Sequence, residues 1–211
     1  VSLHCELTTQ EPWPSYHLLG KPELAQLRAG SLLINSCRGA VVDNTALLET
    51  LLDAPGFSVV LDVWEGEPVI DQHLLAQVTR GTPHIAGYSY DGKLAATPLL
   101  YRAVVNHFSL APAAHATAPH PAANISLPAH YGLAQSVRQL IQARYAIAED
   151  DERLRACTSG VEPAAAGHNF DRLRREYPVR RELLGSTVDY VGSDTAVLRA
   201  ISALGCSLAR R

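Results

Sequence analysis

Continuous apolar runs alternate with short amphipathic stretches over the first ninety or so residues. Ser31-Leu32-Leu33-Ile34-Asn35 and Ser58-Val59-Val60-Leu61-Asp62-Val63 are unbroken apolar runs, the pattern of strands covered on both faces. Val1–His4 reads as another strand and Pro83–Ala86 as a short terminal one. Between them, Pro22–Leu27 carries Pro early in a short helix, where its missing N–H is harmless. Asp43-Asn44 offers an N-cap ahead of Ala46–Leu52. Strand–helix–strand repeats at this spacing predict a parallel sheet with crossover helices, half of a doubly wound α/β domain.

The pattern then changes. A long helix is predicted from Asp91 to about Phe108. Leu110–Pro128, rich in Ala, Pro and His and without Asp, Glu, Lys or Arg, has the composition of a linker. Beyond it the chain predicts a helix over Leu133–Ala148, a charged helix around Phe170–Tyr177, a strand at Thr187–Val191 and a helix from Asp194 to Leu204. The expected organisation is a half-sheet domain over 1–88, a helix over 89–110, a linker over 111–127 and a small α+β module over 128–211. A module of this size holds a small core, and a partner subunit would help it.

Composition excludes several classes. The chain has 211 residues, 47% of them hydrophobic and 18% charged, with a net charge of −3. That balance gives no electrostatic case for nucleic acid or an anionic membrane. No apolar run is long enough to span a bilayer and no signal peptide is evident. Cys5, Cys37, Cys157 and Cys206 are widely spaced, which fits reduced thiols in a cytoplasmic protein and no metal site. There is no Met, and Val1 already lies in a strand-like run, so a C-terminal fragment of a longer protein is expected.

The chemistry gathers at predicted strand ends. Arg38 follows the Ser31–Asn35 strand in Asn35-Ser36-Cys37-Arg38-Gly39, and open α/β sheets bind ligands beyond the carboxyl ends of their strands. Its planar fork suits a substrate carboxylate. The next strand ends in Asp62-Val63-Trp64-Glu65-Gly66-Glu67-Pro68, and His84 lies in Thr82-Pro83-His84-Ile85-Ala86-Gly87. Taken singly, each has an ordinary reading as a surface arginine, a solvated acidic turn or a satisfied structural histidine. In order at successive strand ends, they are the groups that oxidise an alcohol beside a carboxylate. Arg38 holds the carboxylate and His84 takes the hydroxyl proton as hydride leaves. Glu67 favours the imidazolium, since an opposite charge within ~4–6 Å stabilises the charged form. Asp62 is placed to accept a bond from a cofactor amide. Hydride needs a cofactor, because no side chain stores it.

His4-Cys5-Glu6-Leu7-Thr8, the Arg38 loop, Asp62–Pro68 and Thr82–Gly87 together resemble the D-2-hydroxyacid dehydrogenases. The resemblance implies a Rossmann-type doubly wound parallel sheet, here its second half, followed by a small α+β dimerisation domain. It implies NAD as cofactor, Arg38, Glu67 and His84 as catalytic residues, and Asp62 at the nicotinamide. Cys5 and the Ser36-Cys37 backbone would line the cofactor, Gly87 would approach it, and Tyr88 would contact substrate, although Tyr88 reads equally as a packed aromatic. Val60–Pro68, His84–Lys93 and the tail Phe170–Glu182 resemble a branch of the family with a C-terminal dimerisation domain. That branch implies a homodimer and oxidation of 4-phospho-D-erythronate at its 2-hydroxyl, a step towards pyridoxal phosphate. The Arg172–Arg181 cluster reads as a solvated face and interface pairing.

Two departures qualify this. Cys5-Glu6 stands where the family usually has Thr-Pro, which loosens the loop and adds a charge. No Gly-x-Gly-x-x-Gly and no following acidic residue for the ribose are present, so little NAD binding or turnover is expected from this chain alone. The alternatives are another D-2-hydroxyacid dehydrogenase, acting on phosphoglycerate or glyoxylate, and a non-catalytic NAD-sensing or dimerisation protein. The long C-terminal module disfavours the former, and the joint presence of Arg38, Glu67 and His84 the latter.

Overall fold

The computed structural model describes residues 1–53, 56–112 and 123–209. Its described residues form two compact units, Val1–Gly87 with Ile147–Pro178, and Tyr88–Ala146 with Val179–Arg211.

The first unit is built on four parallel strands, β1 (Ser2–Leu3), β2 (Leu32–Asn35), β3 (Ser58–Leu61) and β4 (Arg80–Gly81), in the order β1-β2-β3-β4. Parallel pairing in this sequence requires crossovers. Helix α1 (Lys21–Leu24) lies between β1 and β2, α2 (Asn44–Asp53) between β2 and β3, and α3 (Gln72–Gln77) between β3 and β4. Asp43 Oδ1 accepts from Ala46 N at the start of α2, at 2.9 Å, and Asp71 caps α3 through His73 N and Leu74 N. Ala46, Leu47 and Leu51 turn one face of α2 inward. Leu33, Val59 and Leu61 supply the sheet side of the core, joined by Leu74, Leu154 and Phe170.

Leu154 and Phe170 come from α6 (Ile147–Thr158) and α7 (Pro163–Arg175). Asp151 and Arg155 of α6 are the reason these helices belong here. Asp151 Oδ1 accepts from Gly81 N at 2.8 Å and from Arg155 Nε at 2.9 Å. Arg155 also donates to the carbonyls of Leu75 and Val78, which the end of α3 leaves free.

The second unit has a parallel sheet in the order β5-β6-β7, formed by Asn124–Leu127, Thr187–Tyr190 and Ser207–Leu208. Helices α5 (Leu133–Gln142) and α8 (Thr195–Ala203) cover it, and Leu140, Val197 and Ile201 close a core with Ile125, Leu127 and Val188. Helix α4 (Tyr90–Phe108) starts at Ser89, whose hydroxyl accepts from Gly92 N. Arg181 holds Asp91 with Nε and Nη2 at 2.9–3.1 Å.

Several expected elements shift. Pro83–Ala86 is not a strand, and the terminal strand is Arg80–Gly81. Pro83 has no N–H to pair, and His84 has φ 56, outside the extended region. The helix expected over Leu133–Ala148 stops as α5 at Gln142, where Arg144 turns to Ser186 Oγ and Arg180 stacks on Tyr145, and α6, which starts at Ile147 and runs to Thr158, was not expected. The linker expected over 111–127 gives up Asn124–Leu127 to β5, while 113–122 lie outside the described residues. The module expected over 128–211 is divided, because residues 147–178 pack with the first unit.

Candidate active site

All four strands of the first sheet run the same way, so the segments leaving their C-terminal ends share one edge. From β2 come Ser36, Cys37 and Arg38; from β3, Asp62 to Glu67; from β4, Thr82 to His84. Arg38, Glu67 and His84 line one cleft of about 270 Å3 together with Leu7, Gly39 and Trp64. The grouping read from the sequence is therefore present in space.

Asp62 organises the last of these segments. Its carboxylate is buried and accepts from Thr82 Oγ1 at 2.6 Å, Ile85 N at 2.8 Å and Ala86 N at 2.9 Å. The Asp62 carbonyl also accepts from His84 N at 2.7 Å. These bonds fold the chain around His84 and hold it in the left-handed region, a strain non-glycine residues keep where the surroundings impose it. Most of the Asp62 acceptor capacity thus serves the loop. Oδ2, bonded to Ala86 N alone, retains a lone pair for a further donor.

Glu67 is fixed at both oxygens. Oε1 accepts from Trp64 N at 2.8 Å, and Oε2 lies 2.7 Å from His84 Nδ1. A carboxylate only accepts, so Nδ1 carries the proton and Nε2 is left as the free ring nitrogen. Arg38 is exposed and donates from Nη1 to the Cys37 carbonyl. Asn35, buried at the end of β2, ties this loop by accepting from Cys37 N and donating to Arg38 O. Gly39 lets the loop lie on the next one: a Cβ there would meet the Trp64 carbonyl carbon and oxygen at 2.1 Å.

A clamp not foreseen from the sequence joins the Arg38 and Glu67 loops. Glu65 Oε2 accepts from Asn44 N at 2.8 Å, while Asn44 Oδ1 accepts from Glu65 N at 3.1 Å. His17, also at positive φ, sets Nε2 2.7 Å from Glu65 Oε1 and Nδ1 3.5 Å from Asp43 Oδ2. His17, Asp43 and Glu65 offer metal-ligand atoms within 4.8 Å of one another. The two ring nitrogens, however, face different carboxylates, which makes a bridging imidazole rather than a common coordination point. Nothing in the local sequence marks His17, whose partners lie 26 and 48 residues on.

The other expected positions are less engaged. Cys5 and Cys37 are half-buried, and Glu6, the charge in the usual proline's place, is exposed. Gly87 has open space where a Cβ would sit. Tyr88 belongs to the second unit, where Lys93 Nζ lies 3.9 Å from its ring centroid. No described helix is long and apolar enough to cross a membrane.

Residues 1–86 match the model of the D-isomer specific 2-hydroxyacid dehydrogenase, NAD binding domain. The parallel strands and their cleft thus belong to the NAD-binding domain of that family. Over nearly its whole length the chain is similar to erythronate-4-phosphate dehydrogenases. It is 45% identical to that of Cellvibrio japonicus, over 97% of this chain and 56% of that protein. It is 40% identical to that of Stutzerimonas stutzeri, over 100% of this chain and 56% of that one. The chain therefore spans about half the length of the curated relatives it matches. Residues 118–205 match a domain of unknown function (DUF3410). An NAD-complexed D-isomer specific 2-hydroxyacid dehydrogenase from Lactobacillus delbrueckii overlaps at TM-score 0.42 and 25% identity, covering 53% of this chain and 37% of that one.

Proposed function

We propose that this chain supplies the proton-transfer part of an NAD-dependent dehydrogenase that oxidises 4-phospho-D-erythronate to 2-oxo-3-hydroxy-4-phosphobutanoate. The observation that carries the reading is the 2.7 Å contact between His84 Nδ1 and Glu67 Oε2, in the cleft that Arg38 also lines. With Nδ1 bound to Glu67, Nε2 is the base that takes the C2 hydroxyl proton. Arg38 holds the adjacent carboxylate through paired N–H donors and fixes which carbon faces the base. Asp62, through Thr82, Ile85 and Ala86, keeps the His84 loop in that pose. NAD, when bound, accepts the hydride lost from C2. Residues suited to its nicotinamide side are Cys5, the Ser36-Cys37 backbone, Gly87 and the remaining Asp62 lone pair.

The phosphorylated four-carbon substrate rests on the similarity to named erythronate-4-phosphate dehydrogenases along the full chain, tail included. The same reading includes a place in pyridoxine biosynthesis, a homodimer through the C-terminal residues, and a cytoplasmic setting that suits four free thiols.

A chimera tests it: this chain replaces the matched part of the Cellvibrio japonicus relative, and NADH formation is followed at saturating substrate. Turnover of 4-phospho-D-erythronate is expected, with His84→Asn slower by ~10²–10⁴-fold, the usual worth of a positioned acid–base group. Preference for 3-phosphoglycerate would move the chain to another dehydrogenase of the family. An H84N rate within threefold of the parent would remove His84 from the mechanism.

A further inference from the structure

We propose that helix α7 positions the Glu67–His84 pair, with Gly167 as the positioning residue that seats the turn carrying Glu67. The inference rests on the reading of Glu67 and His84 as the acid–base pair. Gly167 is buried inside α7, where glycine weakens a helix; what it supplies is room. A Cβ there would lie 2.9 Å from Val69 Cγ2, 3.5 Å from Pro68 Cγ and 3.6 Å from the Pro68 carbonyl carbon. Pro68 directly follows Glu67, and Val69 N donates to the Gly66 carbonyl at 2.9 Å. That bond closes a four-residue turn with Glu67 inside it. The backbone of α7 therefore packs directly against the turn that aims the Glu67 carboxylate at His84. The β-branched Val69 is stiff at χ1, and any side chain at 167 larger than alanine meets Pro68 as well.

The His84 side faces the same helix pair. Asp151 of α6 accepts from Gly81 N at 2.8 Å, in the strand that leads into the His84 loop. Pro83, next to His84, shares a small pocket of about 160 Å3 with Asp150 and Arg153 of α6 and Leu173 of α7. Helices α6 and α7 pack on each other, and Leu154 and Phe170 set them in one core. The residue after Glu67 and the residue before His84 thus both face one helix layer. Both helices lie beyond residue 86, where the match to the NAD-binding domain ends. The NAD-binding domain supplies the two reacting groups, and α7 governs the 2.7 Å separation between them. A shift of ~1 Å in the Glu67 turn would carry that contact beyond hydrogen-bonding range, and misplacement of this size can cost ~10²-fold in rate.

The test reads the pair itself in the 211-residue chain, without cofactor or substrate. Nitrogen NMR at alkaline pH reports which ring nitrogen of a neutral histidine carries the proton, and His84→Asn identifies the His84 signal. The parent is expected to carry the His84 proton on Nδ1. Gly167→Val is expected to move that signal towards a mixture of the two tautomers, and Gly167→Ala to move it less. Adding Val69→Ala to Gly167→Ala removes the methyl that the new Cβ meets and is expected to restore the parental signal. A merely structural role for Gly167 would lower the unfolding midpoint and leave the tautomer alone. A parental His84 protonated on Nε2 overturns the proposal, as does a folded Gly167→Val chain with the parental signal. Should Gly167→Val not fold, the alanine variants decide: no change in Gly167→Ala, or a change that Val69→Ala does not reverse, overturns it. In the chimera, Gly167→Val is expected to lower kcat by at least ~10-fold with KM changed far less. A parental chimera without turnover would remove the dehydrogenase reading, and the tautomer result would still decide whether Gly167 positions the pair.

Discussion

Glu67 does two things with two oxygens, and replacing one of them with an amide nitrogen separates its roles. Oε1 receives the Trp64 N–H and Oε2 the His84 Nδ1 proton. In Glu67→Gln, the amide oxygen satisfies Trp64 N only if the NH2 faces His84, which then must accept at Nδ1 and carry its proton on Nε2. That tautomer cannot take a proton from substrate. The opposite amide orientation restores the histidine but sets NH2 against the Trp64 N–H, at the ~1–3 kcal/mol that an unsatisfied buried donor costs. Either way the oxidation rate of the chimera is expected to fall by ~10²-fold or more, with the unfolding midpoint moved far less than the rate. A Glu67→Gln enzyme at full speed would mean that Glu67 does not set the tautomer.

Among the elements, α6 was invisible in the sequence and matters most to the first sheet. Asp151 is buried, and besides Gly81 N and Arg155 it has Arg80 Nη1 at 3.4 Å. Asp151→Ala strips the partner from Arg155 and orphans the Gly81 N–H. The arginines left behind are partly exposed, so the main cost is the unsatisfied Gly81 N–H, about 1–3 kcal/mol, and urea unfolding should register a loss of that size. Arg155→Ala is expected to cost less, because the more exposed Arg155 leaves Asp151 still bonded to Gly81 and Arg80. A larger effect from Arg155 than from Asp151 would contradict this ordering.

The same helix shows where legibility stopped. The β2 and β3 runs were plain because Leu32–Ile34 and Val59–Leu61 are unbroken apolar residues, with Leu33, Val59 and Leu61 fully buried. Arg38, Glu67 and His84 were readable because strand-end position is a property of sequence order. Asp151 and Arg155 act on residues 70 to 80 positions earlier, and within their own helix they resemble an ordinary i,i+4 surface pair. Asp62 was seen at its strand end, but not its Thr82, Ile85 and Ala86 partners, which depend on the turn that His84 makes. Strand β5 was lost in its Ala- and Pro-rich surroundings, since four residues carry too short a period to stand out.

For the molecule as a whole, each compact unit holds a cysteine whose ionisation opposes folding. Burial pushes the Cys157 thiol up, with Arg172 partly offsetting it. Burial does the same at Cys206, with Arg144 partly offsetting it. A folded-state value above the unfolded one means that the folded chain keeps a proton the unfolded chain has released. Below the ordinary thiol value of 9.0 both states are protonated and stability is intact. As pH rises through that value towards the raised folded values, stability falls, by at most about 1.4 kcal/mol per pH unit for each group. Tyrosines ionise in the same range, so the comparison that isolates the thiols is between variants. Urea unfolding of wild type should weaken from pH 8 to pH 10, and Cys157→Ala with Cys206→Ala should weaken less over the same interval. Their absolute stabilities differ for packing reasons, and only the change with pH bears on ionisation. Equal declines in the two proteins would show that neither thiol drives the alkaline loss.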